Sequence, residues 1–202
     1  MASYRSSRIL PTILTIVVII IVIAGFVALV RLLFSGISSS SSSSQDVNVA
    51  QQDLLNTNDG RAVRMTVRGP IVADEDFRSY KITISPSSRQ FEAFKGYLDT
   101  ATNQQTLPNN TAAYDEFVHA LDKANLASGK QFEGEKNNTL GICASGKVYE
   151  FTLLNGGDTS AMFWTSTCGG SPGSLKGNVS QLSQLFINQI PSGSSIEASL
   201  KL

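Results

Sequence analysis

The spacing of apolar residues changes character along the chain, and each change marks a different kind of element. From Ile9 to Val30 the run ILPTILTIVVIIIVIAGFVALV holds 22 residues without a charge. A helix rises about 1.5 Å per residue, so this run reaches about 33 Å, enough for a hydrocarbon core of about 30 Å. It is apolar on all sides, which predicts a membrane span rather than a surface helix. Leu32, Leu33 and Phe34 extend it, giving a span over residues 9–34. A cleaved signal peptide has a shorter apolar run and a small-x-small cleavage site. Neither Ala24-Gly25-Phe26 nor Ala28-Leu29-Val30 supplies one, so the span reads as a retained signal anchor. Seven serines, 38–44, come next. With nothing apolar to bury, they predict a flexible linker over 35–60. Within it the patch Val47, Val49, Leu54 and Leu55 has room for a turn or two of helix.

Beyond residue 60 the period shortens to two. Val63, Met65 and Val67 alternate with Arg64, Thr66 and Arg68, and Tyr80, Ile82 and Ile84 alternate with Lys81, Thr83 and Ser85. Both segments predict half-buried strands. Arg89–Leu98 fits two readings. As a helix, Phe91, Phe94, Tyr97 and Leu98 share a face. As a strand, it follows a tight Ser-Pro-Ser-Ser turn, and Gly96 tips the balance that way. Residues 99–110 read as a polar loop. Thr111–Ala127 reads as a helix with a Tyr114, Phe117, Val118 and Leu121 stripe, capped by Asn110 or Thr111. Lys147–Leu154 and Ser160–Cys168 predict a hairpin about Asn155-Gly156-Gly157-Asp158. Asn178–Ile190 predicts a second amphipathic helix, stopped by Pro191. Ile196, Ala198, Leu200 and Leu202 alternate, which predicts a closing strand. Together these give an α+β domain over 61–202, a mostly antiparallel sheet with two amphipathic helices.

Charge adds an orientation. The 202 residues carry 16 basic and 16 acidic side chains. A zero net charge excludes a generally basic nucleic-acid binder and an acidic disordered chain. The distribution is uneven. Arg5 and Arg8 precede the span within residues 1–8, whereas beyond residue 34 there are 16 acidic against 13 basic residues, a balance of −3. Basic flanks face the cytoplasm. The expected arrangement is a single-pass cell-membrane protein with its amino terminus inside and its domain outside. Residues 9–34 then contact the lipid bilayer.

That compartment gives the cysteines a meaning. Cys143 and Cys168 bracket the predicted hairpin, and two cysteines in one small extracytoplasmic domain pair. A two-residue turn at Asn155-Gly156 places them directly opposite. Matching Tyr149, Phe151 and Leu153 to Ala161 and Phe163 requires a shifted register, with a bulge to absorb the difference. Catalytic patterns are absent from the sequence. Gly141-Ile-Cys-Ala-Ser-Gly-Lys147 matches most of a phosphate-binding loop, but Val148 stands where a Ser or Thr must hold magnesium. His119, the one histidine, projects away from the apolar stripe and reads as a solvated residue. Asp74-Glu75-Asp76 reads as a solvated turn without an EF-hand loop around it. No catalytic, cofactor or metal residues are assigned. Met162 and Trp164 lie opposite Phe163 on their strand. They pack under a covering element or form a candidate binding patch.

The basic start, the anchor with its RLLF end, the serine tether, GICASGKVYEFTL, MFWTSTCGG and LSQLFINQIP resemble membrane-anchored proteins of small-genome bacteria of the Saccharibacteria type. The likeness lies in style across the chain. It implies an envelope location and carries over no catalytic residue. The expected function is a non-enzymatic binding or interaction module that engages an envelope protein or surface ligand and no nucleic acid. An extracytoplasmic hydrolase using Asp74, Glu75, Glu116 or Glu133 is the alternative, with a structural subunit of a membrane complex behind it.

Overall fold

The computed structural model describes residues 48–202. The predicted anchor at 9–34 and the serine tract lie outside them, and among the described residues no helix is long and apolar enough to cross a membrane. The elements are α1 (Val49–Leu54), β1 (Arg61–Arg68), β2 (Arg78–Ile84), β3 (Ser88–Lys95), β4 (Thr100–Pro108), α2 (Thr111–Lys123), β5 (Val148–Asn155), β6 (Asp158–Ser166), α3 (Val179–Ile187) and α4 (Gly193–Ser199), with a short 3-10 turn at Gly134–Asn137. The α+β class holds. The six strands form one antiparallel sheet in the order β4-β3-β2-β1-β5-β6.

Register turns the alternation of the sequence into one apolar face. Met65 lies opposite Ile82 on one side and Phe151 on the other; Ile82 lies opposite Phe91, and Phe151 opposite Phe163. All five are buried. Helices α2 and α3 cover that face. Phe117 of α2 meets Phe186 of α3 edge-on at 5.1 Å, and Phe186 tilts over Phe151 at 5.8 Å. Burial of such side chains stabilises by about 1.5–3 kcal/mol each. The expected α2 stripe, Tyr114, Phe117, Val118 and Leu121, is the buried one. Asn110 caps the helix by accepting from the Ala113 amide at 2.9 Å. The helix ends four residues earlier than expected, because Asn125 turns left-handed (φ 62°). The opposite face of the sheet carries Arg64, Thr66, Lys81, Thr83, Glu150 and Thr152 at its centre.

Three readings change. Residues 99–110 are not a loop: β4 occupies most of them, paired to β3 from Ser88↔Pro108 to Lys95↔Thr100. Its side chains are almost all exposed, so it has no alternation to detect. The closing segment is a helix rather than a strand. Ile196 and Leu200 stand one helical turn apart, a spacing that satisfies both periods, and both pack against the core. Tyr80 Oη donates to Glu197 there at 3.0 Å. Burial and the Glu197 charge hold the Tyr80 phenol well above the ordinary tyrosine range. Residues 48–60 belong to the folded unit rather than to the linker: Leu54 of α1 is buried, and Asp53 pairs with Arg61. The hairpin turns at Gly156-Gly157 (φ 63° and 98°), with a bulge next to Leu153 and Leu154. Arg89–Leu98 is a strand as far as Lys95, followed by a turn through Gly96 (φ 75°) and Asp99 (φ 52°).

Candidate functional site

A cleft of about 450 Å³ opens at the end of the sheet where β1 finishes. Arg68, Gly69 and Val148 form its base. Ile71 and Phe77 from the β1–β2 connection, with Tyr97 from the β3–β4 turn, make one wall. The segment Thr139–Ile142 makes the other. The lining is mostly apolar, and three of its side chains remain in solvent: Ile71 is 47%, Tyr97 48% and Leu140 75% exposed. Exposed apolar residues that share one concavity mark a binding site more than scattered ones do.

Local bonds hold the first wall. Phe77 and Tyr97 stack with ring centres 4.1 Å apart. Tyr97 Oη donates to the Val72 carbonyl at 2.7 Å and accepts from the Val72 amide at 3.1 Å. The Tyr97 amide donates to Asp74 at 2.7 Å. A side chain at Gly96 would press on that carboxylate, and its positive φ also requires glycine. The Asp74-Glu75-Asp76 cluster therefore braces a turn, and no group of acids or histidines among the described residues is placed to hold a metal.

The second wall is pinned by the cysteines. Cys143 and Cys168 form a disulfide with Cα atoms 5.3 Å apart. The expected pairing stands, although the hairpin register does not put the two directly opposite. Cys143 reaches its partner from a turn with φ 59°. One residue on, the Ala144 carbonyl accepts from the Ile71 amide at 2.8 Å, which joins the two walls. The near-match to a phosphate-binding loop is this turn, and a strand rather than a helix follows it.

The polar component at the base is Arg68. Its Nη2 donates to Glu150 at 2.7 Å, to the Thr139 carbonyl at 3.0 Å and to the Thr139 hydroxyl, which also donates to Glu150. Its Nε is buried and makes no hydrogen bond among the described residues. Beside the cleft, Lys81 and Asp99 pair at 3.0 Å. The site thus offers an apolar body over an arginine that is already paired with Glu150.

The other candidates lie elsewhere. Trp164 is buried, with Phe132 edge-on at 6.1 Å, so it is packed rather than presented; Met162 beside it is half-buried. His119 is exposed on α2 and, among the described residues, bonds only its own helix, at Asp115. Glu116 and Glu133 are exposed on separate elements, away from the Asp74 turn in the chain. Ile71, Tyr97 and Leu140 form no group in the sequence, because they stand in three separate connections 26 and 43 residues apart, and only the fold gathers them. The chain matches no family model, no curated protein and no solved structure.

Proposed function

We propose that the chain is a binding module of the cell envelope, anchored by residues 9–34 and displaying the Ile71–Tyr97–Leu140 cleft outside the cytoplasm. The observation that carries this reading is the cleft itself: a concavity in the size range of small-ligand sites, apolar, with one arginine at its base. The ligand class it suits is mostly apolar, an aromatic or aliphatic body whose polar end meets the Arg68–Glu150 pair at the base.

Placement supports display. Helix α1 follows directly on residue 47 and docks at the start of β1, through Asp53 to Arg61 and to Ser160 near the β5–β6 turn. The cleft lies at the other end of β1, eight residues on. At about 3.3 Å per residue that separation is about 25 Å. A tether that joins at the first end leaves the cleft at the far one. The acids that a hydrolase would need are on separate elements, which favours binding over catalysis.

The test uses the full chain in living cells, with a photo-crosslinking amino acid at Leu140 or Ile71 and, for comparison, at His119. The expected result is a discrete adduct mass shared by the two cleft positions and missing at His119. Identical adducts at all three positions, or none at any, would overturn the cleft as the binding site.

A further inference from the structure

The two outer strands of the sheet differ in what lies beyond them. Along β6, the segment after the disulfide runs back against the strand. The Leu175 amide donates to the Trp164 carbonyl at 3.0 Å, the Trp164 amide to Ser174 Oγ at 3.3 Å, and the Thr165 hydroxyl to the Pro172 carbonyl at 3.0 Å. Along β4, no described residue pairs with the outer side of the strand. Every second backbone N–H and C=O there faces outward unbonded. Most of β4 is open to solvent as well: Thr100 to Gln104, Thr106 and Pro108 are exposed, while Gln105 and Leu107 are half-buried, Leu107 against the core.

We propose that this edge is a self-association surface, where two copies of the chain pair β4 to β4 antiparallel about a twofold axis. The chemistry of the strand selects a second copy as the occupant. Thr100–Pro108 reads TATNQQTLP, nine residues without a charge. Proteins keep free edges apart with charge, especially lysine; here that device is missing. A charged strand would meet its own charge in a twofold pair, and this one does not. Hydroxyl and amide side chains both donate and accept, so Asn103, Gln104, Gln105 and Thr106 are complementary to themselves, as stacked amide ladders are. A twofold contact uses one patch twice and closes after two copies.

The structure also places the axis. A bulge opposite Ala93 and Phe94 leaves Thr102 without a partner in β3, and Pro108 has no N–H to donate, so the regular part of the edge is Asn103–Leu107. Centring that run on itself sets Gln105 against Gln105 of the second copy, with Gln104 against Thr106 and Asn103 against Leu107. Asp99 then falls past the paired segment and meets no like charge.

The test is a cysteine scan in the full chain in membranes, one position at a time from Asn103 to Leu107, with His119→Cys as the comparison. Mild oxidation should give disulfide-linked dimers that peak at Gln105→Cys and fall to the His119→Cys level at the ends of the scan. The second measurement is the mass of the detergent-solubilised chain with Gln104→Lys and Thr106→Lys together. Four lysines then meet across the axis, and the dimer should give way to monomer, with at least a tenfold loss of association. A flat scan, cross-links only to a different protein, or a dimer indifferent to the lysines would each overturn the proposal. The last outcome would place any association elsewhere, such as in the anchor.

Discussion

Where β6 ends the sheet, the chain itself covers the strand; where β4 ends it, no described residue does. The covering at β6 imposes tight steric requirements. A side chain at Gly173 (φ 71°) would overlap the Trp164 carbonyl oxygen, and one at Gly129 would overlap the Ser174 carbonyl. The disulfide fastens the covering segment at its start, two residues past β6. At β4 there is, among the described residues, neither a tight glycine within the strand nor a bond to a covering segment, and most of its side chains are in solvent. A sheet edge can thus be closed by fitted backbone or left open by polar composition. The first way is intolerant of mutation and the second permits a partner.

The largest effect expected from breaking the closed edge is loss of the disulfide. The loop it closes spans 25 residues, and the chain-entropy account gives about 3 kcal/mol for such a loop. Cys143→Ser with Cys168→Ser should lower the urea midpoint accordingly. Trp164 is the one tryptophan in the chain and sits on this edge, so its fluorescence reports the transition where the change is made. An unchanged midpoint would mean that the bridge does not hold the covering segment. Since Cys143 also anchors the second wall of the cleft, the same variant should weaken adduct formation at Leu140. Next comes Gly173→Ala. It adds a methyl group where backbone already stands and strains a left-handed residue, a cost of about 1–3 kcal/mol. Amide exchange at Trp164 and Leu175 should speed up in this variant while exchange in β2 stays slow. Uniform acceleration across the sheet would show that the edge does not open independently.

How much of this contrast is readable from sequence depends on what each part buries. β1, β2, β5 and β6 announce themselves because one face of each is in the core, and the period of two follows. The stripe on α2 is legible for the same reason. β4 is invisible because it buries almost nothing, so its pairing rests on backbone groups that every residue carries. The closing helix is misread because Ile196 and Leu200 fit either period, and only packing against Tyr80 and its neighbours decides. The disulfide follows from compartment and count, not from register. The cleft was not legible at all: Ile71, Tyr97 and Leu140 lie on three connections between strands, and turn geometry, unlike periodicity, brings them together.

The smallest effect belongs to the open edge, and it sharpens the comparison most. Gln104→Lys with Thr106→Lys changes two side chains that are exposed and make no side-chain hydrogen bond among the described residues. Lysine is a poorer strand residue than threonine by a few tenths of a kcal/mol, and surface changes away from packed features stay within about 0.5 kcal/mol. The urea midpoint of the monomer should therefore shift by no more than that, against the several-fold larger shifts at Cys143 and Gly173. Measured at low protein concentration, where association does not add to apparent stability, a loss above about 2 kcal/mol would mean that β4 is packed after all. A small loss together with a large change in association would separate the two roles of a sheet edge. At β6 the edge residues hold the fold; at β4 the fold is complete without them, and their side chains are free to be selected for contact.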